Sequence, residues 1–191
     1  MAYKCLKLSF ISSFGMNLNE LKSHEDLEKA FSEWGELFFR YVFVRLRNTK
    51  TAEDIAQEVF IKAWFNRDSF DAEKASLKTW MFAIATNLIR DYLRKEMRYP
   101  VDSLEEDTPE KNNFYEAISN DDELRYVFNK IFELSDRERE LLFLRYREGM
   151  EIKKMAQILN LEYSATKVAL HRALIKLRKI CNEGSGDVTI A

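Results

Sequence analysis

Ser164, Lys167, Val168, His171 and Arg172 are spaced so that a helix would carry them on one side. Hydroxyl, ammonium, imidazole and guanidinium groups in that register hydrogen-bond phosphate oxygens and base edges in a duplex, with Lys167 and Arg172 as the main contacts. His171 has no His, Cys or Asp beside it to hold a metal, so it is either part of this face or an ordinary surface residue. A second polar series, Thr79, Ala83, Thr86, Asn87, Arg90 and Arg94, recurs at steps of three and four. The loop before it carries Phe70, Asp71 and Lys74. Aromatics that stack bases at about 1–3 kcal/mol each, mixed with cations that hold the backbone, suit single-stranded nucleic acid. Phe70 and Trp80 read first as core residues and only second as base-stacking ones.

Catalytic and cofactor chemistry is not expected. The sequence has no phosphate loop, no HExxH and no glycine-rich dinucleotide turn, and its histidines are His24 and His171. Cys5 and Cys181 stand at opposite ends, too few for a disulfide framework or a four-ligand zinc site. No catalytic residue, metal ligand or cofactor site follows.

Hydrophobic periodicity supplies the elements that must position these groups. In the last third, residues 151–159 read as a scaffold helix, Asn160 and Leu161 as a turn, and residues 163–179 as a second helix with Leu170, Leu174, Leu177 and Ile180 inward. Together they form a helix-turn-helix. Ser135 should cap the helix before it, and Arg137 is a further candidate for phosphate. Upstream, residues 24–47 carry an apolar stripe of Leu27, Phe31, Trp34, Phe38, Tyr41 and Val42. Residues 51–65 follow, with Thr51 as the expected N-cap and Ile55, Val59, Phe60, Ala63 and Trp64 inward. Asp54, Gln57, Glu58 and Ile61 occupy the opposite face, which is either merely solvated or docks a basic partner helix. Residues 76–95 form a third helix with Leu77, Trp80, Met81, Ile84, Leu88 and Tyr92 as its expected buried side.

With 191 residues, 46% of them apolar, 32% charged, and only five glycines and two prolines, the chain reads as all-α: two small helical domains. Charge divides it. Residues 25–98 carry 13 basic and 13 acidic groups, residues 99–123 carry 1 and 9, and residues 124–181 carry 13 and 7. The expected organisation is a disordered extension at 1–24, a helical domain at 25–98, an acidic linker at 99–123 holding Pro100 and Pro109, a helix-turn-helix domain at 124–181 and a flexible tail at 182–191. The linker is a solvated spacer or an acidic strap that imitates nucleic acid. Residues 8–14 form an apolar patch too short and too interrupted for export or a membrane span, so a cytoplasmic protein is expected, with Met1 or Met16 as its start.

The run Asp54-Ile55-Ala56-Gln57-Glu58-Val59-Phe60-Ile61-Lys62-Ala63-Trp64, then Asp68-Ser69-Phe70, then Trp80-Met81-Phe82-Ala83-Ile84-Ala85-Thr86-Asn87-Leu88-Ile89-Arg90-Asp91-Tyr92-Leu93-Arg94, resembles region 2 of the extracytoplasmic-function (ECF) sigma factors of the sigma-70 family. The last third resembles their region 4. The resemblance implies a detachable promoter-specificity subunit of bacterial RNA polymerase. Its partners would be core RNA polymerase, promoter DNA and an anti-sigma factor, commonly membrane-anchored. It further implies that Asp54, Gln57, Glu58 and Ile61 bind core polymerase. Phe70, Lys74, Ser76, Thr79, Trp80, Asn87, Arg90 and Arg94 would bind and open the minus-ten element, with Asn87 the first choice for a base and Lys74, Ser76 and Thr79 capturing an extruded one. Ser164, Lys167, Val168, His171 and Arg172 would read the minus-thirty-five element in the major groove. The connector would thread near the RNA exit path, where Glu105, Glu106 and Asp107 would imitate an RNA backbone.

The chain departs from the family pattern at Lys154-Met155-Ala156, where Glu-Ile-Ala is usual, at Ser164-Ala165-Thr166, where Gly-Thr-Val is frequent, and at Ala169, where a base is expected. No promoter preference follows. The alternative reading is a stand-alone helix-turn-helix regulator with an N-terminal helical partner or ligand domain, which would bind duplex DNA unaided.

Overall fold

A computed structural model describes residues 21–98 and 129–183, which belong to two separate compact units. The extension before residue 21, the acidic segment 99–123 and the tail from 184 lie outside the described residues, as do Met1, Met16 and the start of the second unit. The described residues form helices and turns and include no strand.

In the first unit, α1 (His24–Leu46), α2 (Thr49–Phe65) and α3 (Leu77–Arg98) follow one another. Ser23 caps α1 in a reciprocal box with Asp26: its hydroxyl accepts from the Asp26 N–H at 3.2 Å, and the Asp26 carboxylate accepts from the Ser23 N–H at 2.9 Å. Arg47, in left-handed geometry at φ 59°, ends α1. Asn48 then starts α2, its side-chain oxygen accepting from the Thr51 N–H at 2.8 Å. The cap is therefore Asn48 and not Thr51, because the helix begins two residues earlier than periodicity suggested.

Phe38, Tyr41, Val42, Val59, Ala63, Met81, Phe82, Ala85 and Ile89 form the fully buried centre. Phe82 meets Phe38 at 4.9 Å between ring centroids and Tyr41 edge-on at 5.1 Å, geometries that add to area burial. Three inward assignments in this unit need correction, the first being Trp64, which is only half-buried. Phe31 is 50% exposed, its ring lying only edge-to-face on Phe60 at 5.0 Å. On α3 the inward stripe is Leu77, Met81, Phe82, Ala85, Leu88 and Ile89, rotated from the expected one, so Trp80, Ile84 and Tyr92 are only half-buried. Thr86, expected on the polar face, is fully buried, its hydroxyl 2.7 Å from that of Tyr41. That bond lets a polar residue take a core position.

In the second unit, α4 (Asp136–Leu142) runs into a π-helical turn (Phe143–Arg147), then α5 (Ile152–Leu159) and α6 (Tyr163–Glu183). Ser135 caps α4 in a box with Glu138, whose carboxylate accepts from the Ser135 N–H at 2.8 Å. Gly149, at φ 64°, sits in the link from the π-turn to α5, a conformation glycine adopts without strain. Asn160, left-handed at φ 50°, closes α5. The Leu161 N–H returns to the Ala156 carbonyl at 2.9 Å, and α6 starts within two residues. Leu141, Leu144, Met155, Leu159, Leu170, Ala173 and Leu177 are buried among the helices.

Arg137, a candidate phosphate contact, is engaged otherwise. It donates to the buried Glu140 carboxylate at 2.7 Å and to the Leu159 carbonyl at 3.3 Å. Glu140 is wholly buried and needs a paired cation, so Arg137 ties α4 to the end of α5.

Candidate nucleic-acid and partner interface

The α2 helix buries Ala52, Ile55, Ala56, Val59, Phe60 and Ala63, which turns Asp54, Gln57, Glu58 and Ile61 outward. All four are exposed, Ile61 at 54%, and Glu58 makes only a 3.4 Å pair with Lys62 in its own helix. Phe65, four residues past Ile61, is 76% exposed. It extends the same stripe and was missed because a terminal phenylalanine in a helical pattern reads as core; its i+4 relation to Ile61 was the available signal. Ile61 and Phe65 thus leave two large apolar side chains uncovered on the face that also carries Asp54 and Glu58.

Beside this face the chain turns through a 3-10 segment (Arg67–Ser69) into the loop before α3. Arg67 places its guanidinium 4.2 Å from the Trp64 ring centroid and bonds the Trp64 carbonyl at 2.8 Å, which fixes where the loop leaves α2. Phe70 is half-buried against Trp80, ring centroids 5.3 Å apart. Ser76 starts α3: its hydroxyl accepts from the Thr79 N–H at 3.2 Å and lies 2.8 Å from the Thr79 hydroxyl. Lys74 is exposed and paired with Asp71 at 2.8 Å. The Lys74 hydrogen bond lowers the Asp71 carboxyl pKa, and the same bond raises that of the ammonium, so both stay charged.

Trp80, Ile84, Asn87 and Arg94 share one side of α3, at steps of four, three and seven. Asn87 is exposed, with the Arg90 guanidinium reaching its side-chain oxygen at 3.5 Å, and Arg94 pairs with Asp91 at 3.5 Å. Phe70, Lys74, Ser76, Thr79, Trp80, Asn87, Arg90 and Arg94 thus sit on one loop and the helix it starts. Hydroxyls and a half-open aromatic pair stand at the beginning of that helix, an amide in its middle and cations beyond. This sequence of groups can stack a base, bond its edge and neutralise its phosphate.

On α6, Thr166, Leu170, Ala173 and Leu177 face inward, Thr166 bonding the Glu162 carbonyl at 3.0 Å, while Leu174 and Ile180, expected inward, are only half-buried. Ser164, Lys167, Val168, His171 and Arg172 are all exposed, Val168 at 48%. Ile175, 52% exposed and seven residues beyond Val168, continues this face, which the sequence reading ended at Arg172. The described residues contain no cluster of His, Cys, Asp or Glu that would hold a metal, and no helix among them is long and apolar enough to cross a membrane.

Comparison with known proteins gives these surfaces a family. Residues 30–99 match the model of Sigma-70 region 2, and residues 125–177 match that of Sigma-70, region 4. The chain is 33% identical over 168 residues to the ECF RNA polymerase sigma factor SigW of Bacillus subtilis, covering 80% of this chain and 89% of that one. The chain belongs to the ECF RNA polymerase sigma factors. SigM of the same organism is 29% identical over 150 residues, covering 78% of this chain and 91% of SigM. In fold, this sigma factor is similar to RpoE in its complex with the anti-sigma factor NepR from Bartonella quintana, at TM-score 0.64 and 22% identity over 83% of this chain and 98% of that one. CnrH in complex with the cytosolic domain of CnrY gives TM-score 0.62 at 21% identity, over 86% of this chain and 92% of CnrH. A sigma factor directs RNA polymerase to promoters, and a match to both regions disfavours the stand-alone regulator.

Proposed function

We propose that this ECF sigma factor seats on core RNA polymerase through the outer face of α2, opens the minus-ten element with the loop before α3 and with α3 itself, and reads the minus-thirty-five element through α6. Asp54, Gln57, Glu58, Ile61 and Phe65 form the polymerase contact. Trp80 and Phe70 stack an extruded base, which Ser76 and Thr79 hold while Lys74 approaches its phosphate. Asn87 reads a base edge, and Arg90 and Arg94 offset the few kcal/mol that unstacking costs. Ser164, Lys167, Val168, His171 and Arg172 meet the duplex in its major groove. The protein works in the cytoplasm as a recognition subunit with no bond-making step of its own, and these contacts call for no cofactor. An anti-sigma factor, the kind of partner bound by RpoE in its solved complex, covers these surfaces between signals.

The observation that carries the reading is the α2 stripe, where Ile61 and Phe65 lie uncovered after Asp54 and Glu58 on a helix whose other face is packed. Ile61→Glu with Phe65→Ser should abolish co-elution with core polymerase and run-off transcription, with the melting temperature within about 4 °C of the parent because both side chains are mostly exposed. Failure of the folded parent to bind core enzyme at modest salt overturns the proposal.

A further inference from the structure

Between α2 and the C-terminal half of α3 lies a cleft of about 330 Å³ with Lys62, Arg94, Lys95 and Arg98 around it. Ile55 and Leu88, both buried, give it an apolar lining. Two of the cations are partly answered locally, Lys62 by Glu58 at 3.4 Å and Arg94 by Asp91 at 3.5 Å. Lys95 and Arg98 are exposed and make no ion pair or hydrogen bond among the described residues. Among the described residues, the cleft therefore presents four cations against the carboxylates of Glu58 and Asp91, a net positive charge over an apolar floor.

The chain itself supplies the complement. It leaves this cleft at Arg98, and the next 25 residues carry nine carboxylates against one lysine. The first acidic run, Asp102-Ser103-Leu104-Glu105-Glu106-Asp107, has a single large apolar residue at its centre. We propose that residues 102–107 dock in this cleft in the free protein, their carboxylates on Lys95 and Arg98 and Leu104 against Ile55 and Leu88. Reach permits it. Six residues separate Arg98 from Leu104, an extended span of about 20 Å, while the ten helical residues from Leu88 to Arg98 cover about 15 Å. A proline two residues past Arg98 disfavours continuation of α3, which leaves the following residues available to leave the helix axis. So short a tether holds the acidic run at an effective concentration of order millimolar, enough for a weak ionic contact to be occupied. The contact is self-limiting, since a phosphate backbone arriving at the same cations would displace it.

The test uses the full chain with Cys5→Ser and Cys181→Ser and a nitroxide on Ser103→Cys, read by amide NMR. At about 0.05 M salt, signals of residues 55–62 and 88–98 should broaden selectively. They should sharpen near 1 M salt, where the Debye length is about 3 Å. Lys95→Glu with Arg98→Glu should remove the broadening, and adding Glu105→Lys with Glu106→Lys should restore it. Absence of selective broadening at low salt in a chain with native amide dispersion overturns the proposal, as does broadening that survives Lys95→Glu with Arg98→Glu. If short duplex DNA shifts these amides but the nitroxide never broadens them, the cleft is a nucleic-acid surface and the acidic run is not its occupant. Every arm reads contact and not transcription, so failure here leaves the function proposed above standing.

Discussion

At the scale of single residues, the bond between the buried hydroxyls of Tyr41 and Thr86, 2.7 Å apart, is the clearest structural test. Thr86→Val leaves the Tyr41 hydroxyl without this partner in the core and should cost about 1–3 kcal/mol, whereas adding Tyr41→Phe should recover part of the loss. Thermal denaturation of the single and double variants measures the coupling. Asn87 is the opposite case, because it is exposed and its side chain supports nothing in the core. Asn87→Ala should leave stability within about 0.5 kcal/mol of the parent. If its amide reads a base, open-complex formation at a cognate promoter should fall by the equivalent of about 1–3 kcal/mol, roughly 5- to 150-fold. Unchanged promoter opening would remove Asn87 from the readout.

Single elements show what was legible in the sequence. The positions of α2, α3, α5 and α6 followed from apolar spacing to within about four residues at each end because each buries one face and solvates the other, and the outward set on α2 followed with them. The rotation of α3 did not follow. Trp80, Ile84 and Tyr92 are as hydrophobic as the residues that displaced them, and Thr86 became a core residue only through a hydroxyl partner 45 positions away. Asn48 outbid Thr51 as a cap for a local reason: its amide oxygen fits the Thr51 N–H. The ion pair that bridges α4 and α6 was equally invisible, for it brings Lys176 to Glu138 at 2.8 Å across 38 residues.

That contact has a pH dependence. Partial burial pushes the Glu138 carboxyl pKa up, but bonds from Lys176 and Ser135 outweigh it and the net shift is downward. A carboxyl with a folded pKa below its unfolded value stabilises above the unfolded value and loses that stabilisation as pH falls through the folded one. Glu138→Gln keeps an oxygen for the Ser135 N–H and loses the charge opposite Lys176. It should therefore melt below the parent at pH 7 and level with it once the parent's carboxyl is protonated. A deficit of equal size at both ends of the titration would assign the loss to the cap.

Across the whole molecule, each unit carries its own exposed cations, and residues 99–123 join them as a chain segment whose strap role, with Glu105, Glu106 and Asp107 near RNA, lies outside the described residues. If the two units grip one promoter at once, the second contact is intramolecular, and its strength depends on linker length through closure entropy. Inserting 25 Gly/Ser residues after residue 123 doubles the linker while keeping every acidic residue. Each doubling costs about 0.6 kcal/mol, so transcription from a promoter with both elements should fall only about threefold. Transcription that needs the minus-ten element alone should not change. Deleting ten residues from the same segment is the sharper arm, because a tether too short to span its sites forfeits the second contact altogether. Run-off yields that fall in parallel on both promoter types, for either linker variant, would show that the segment acts on the initiating complex itself and not as a tether between two grips.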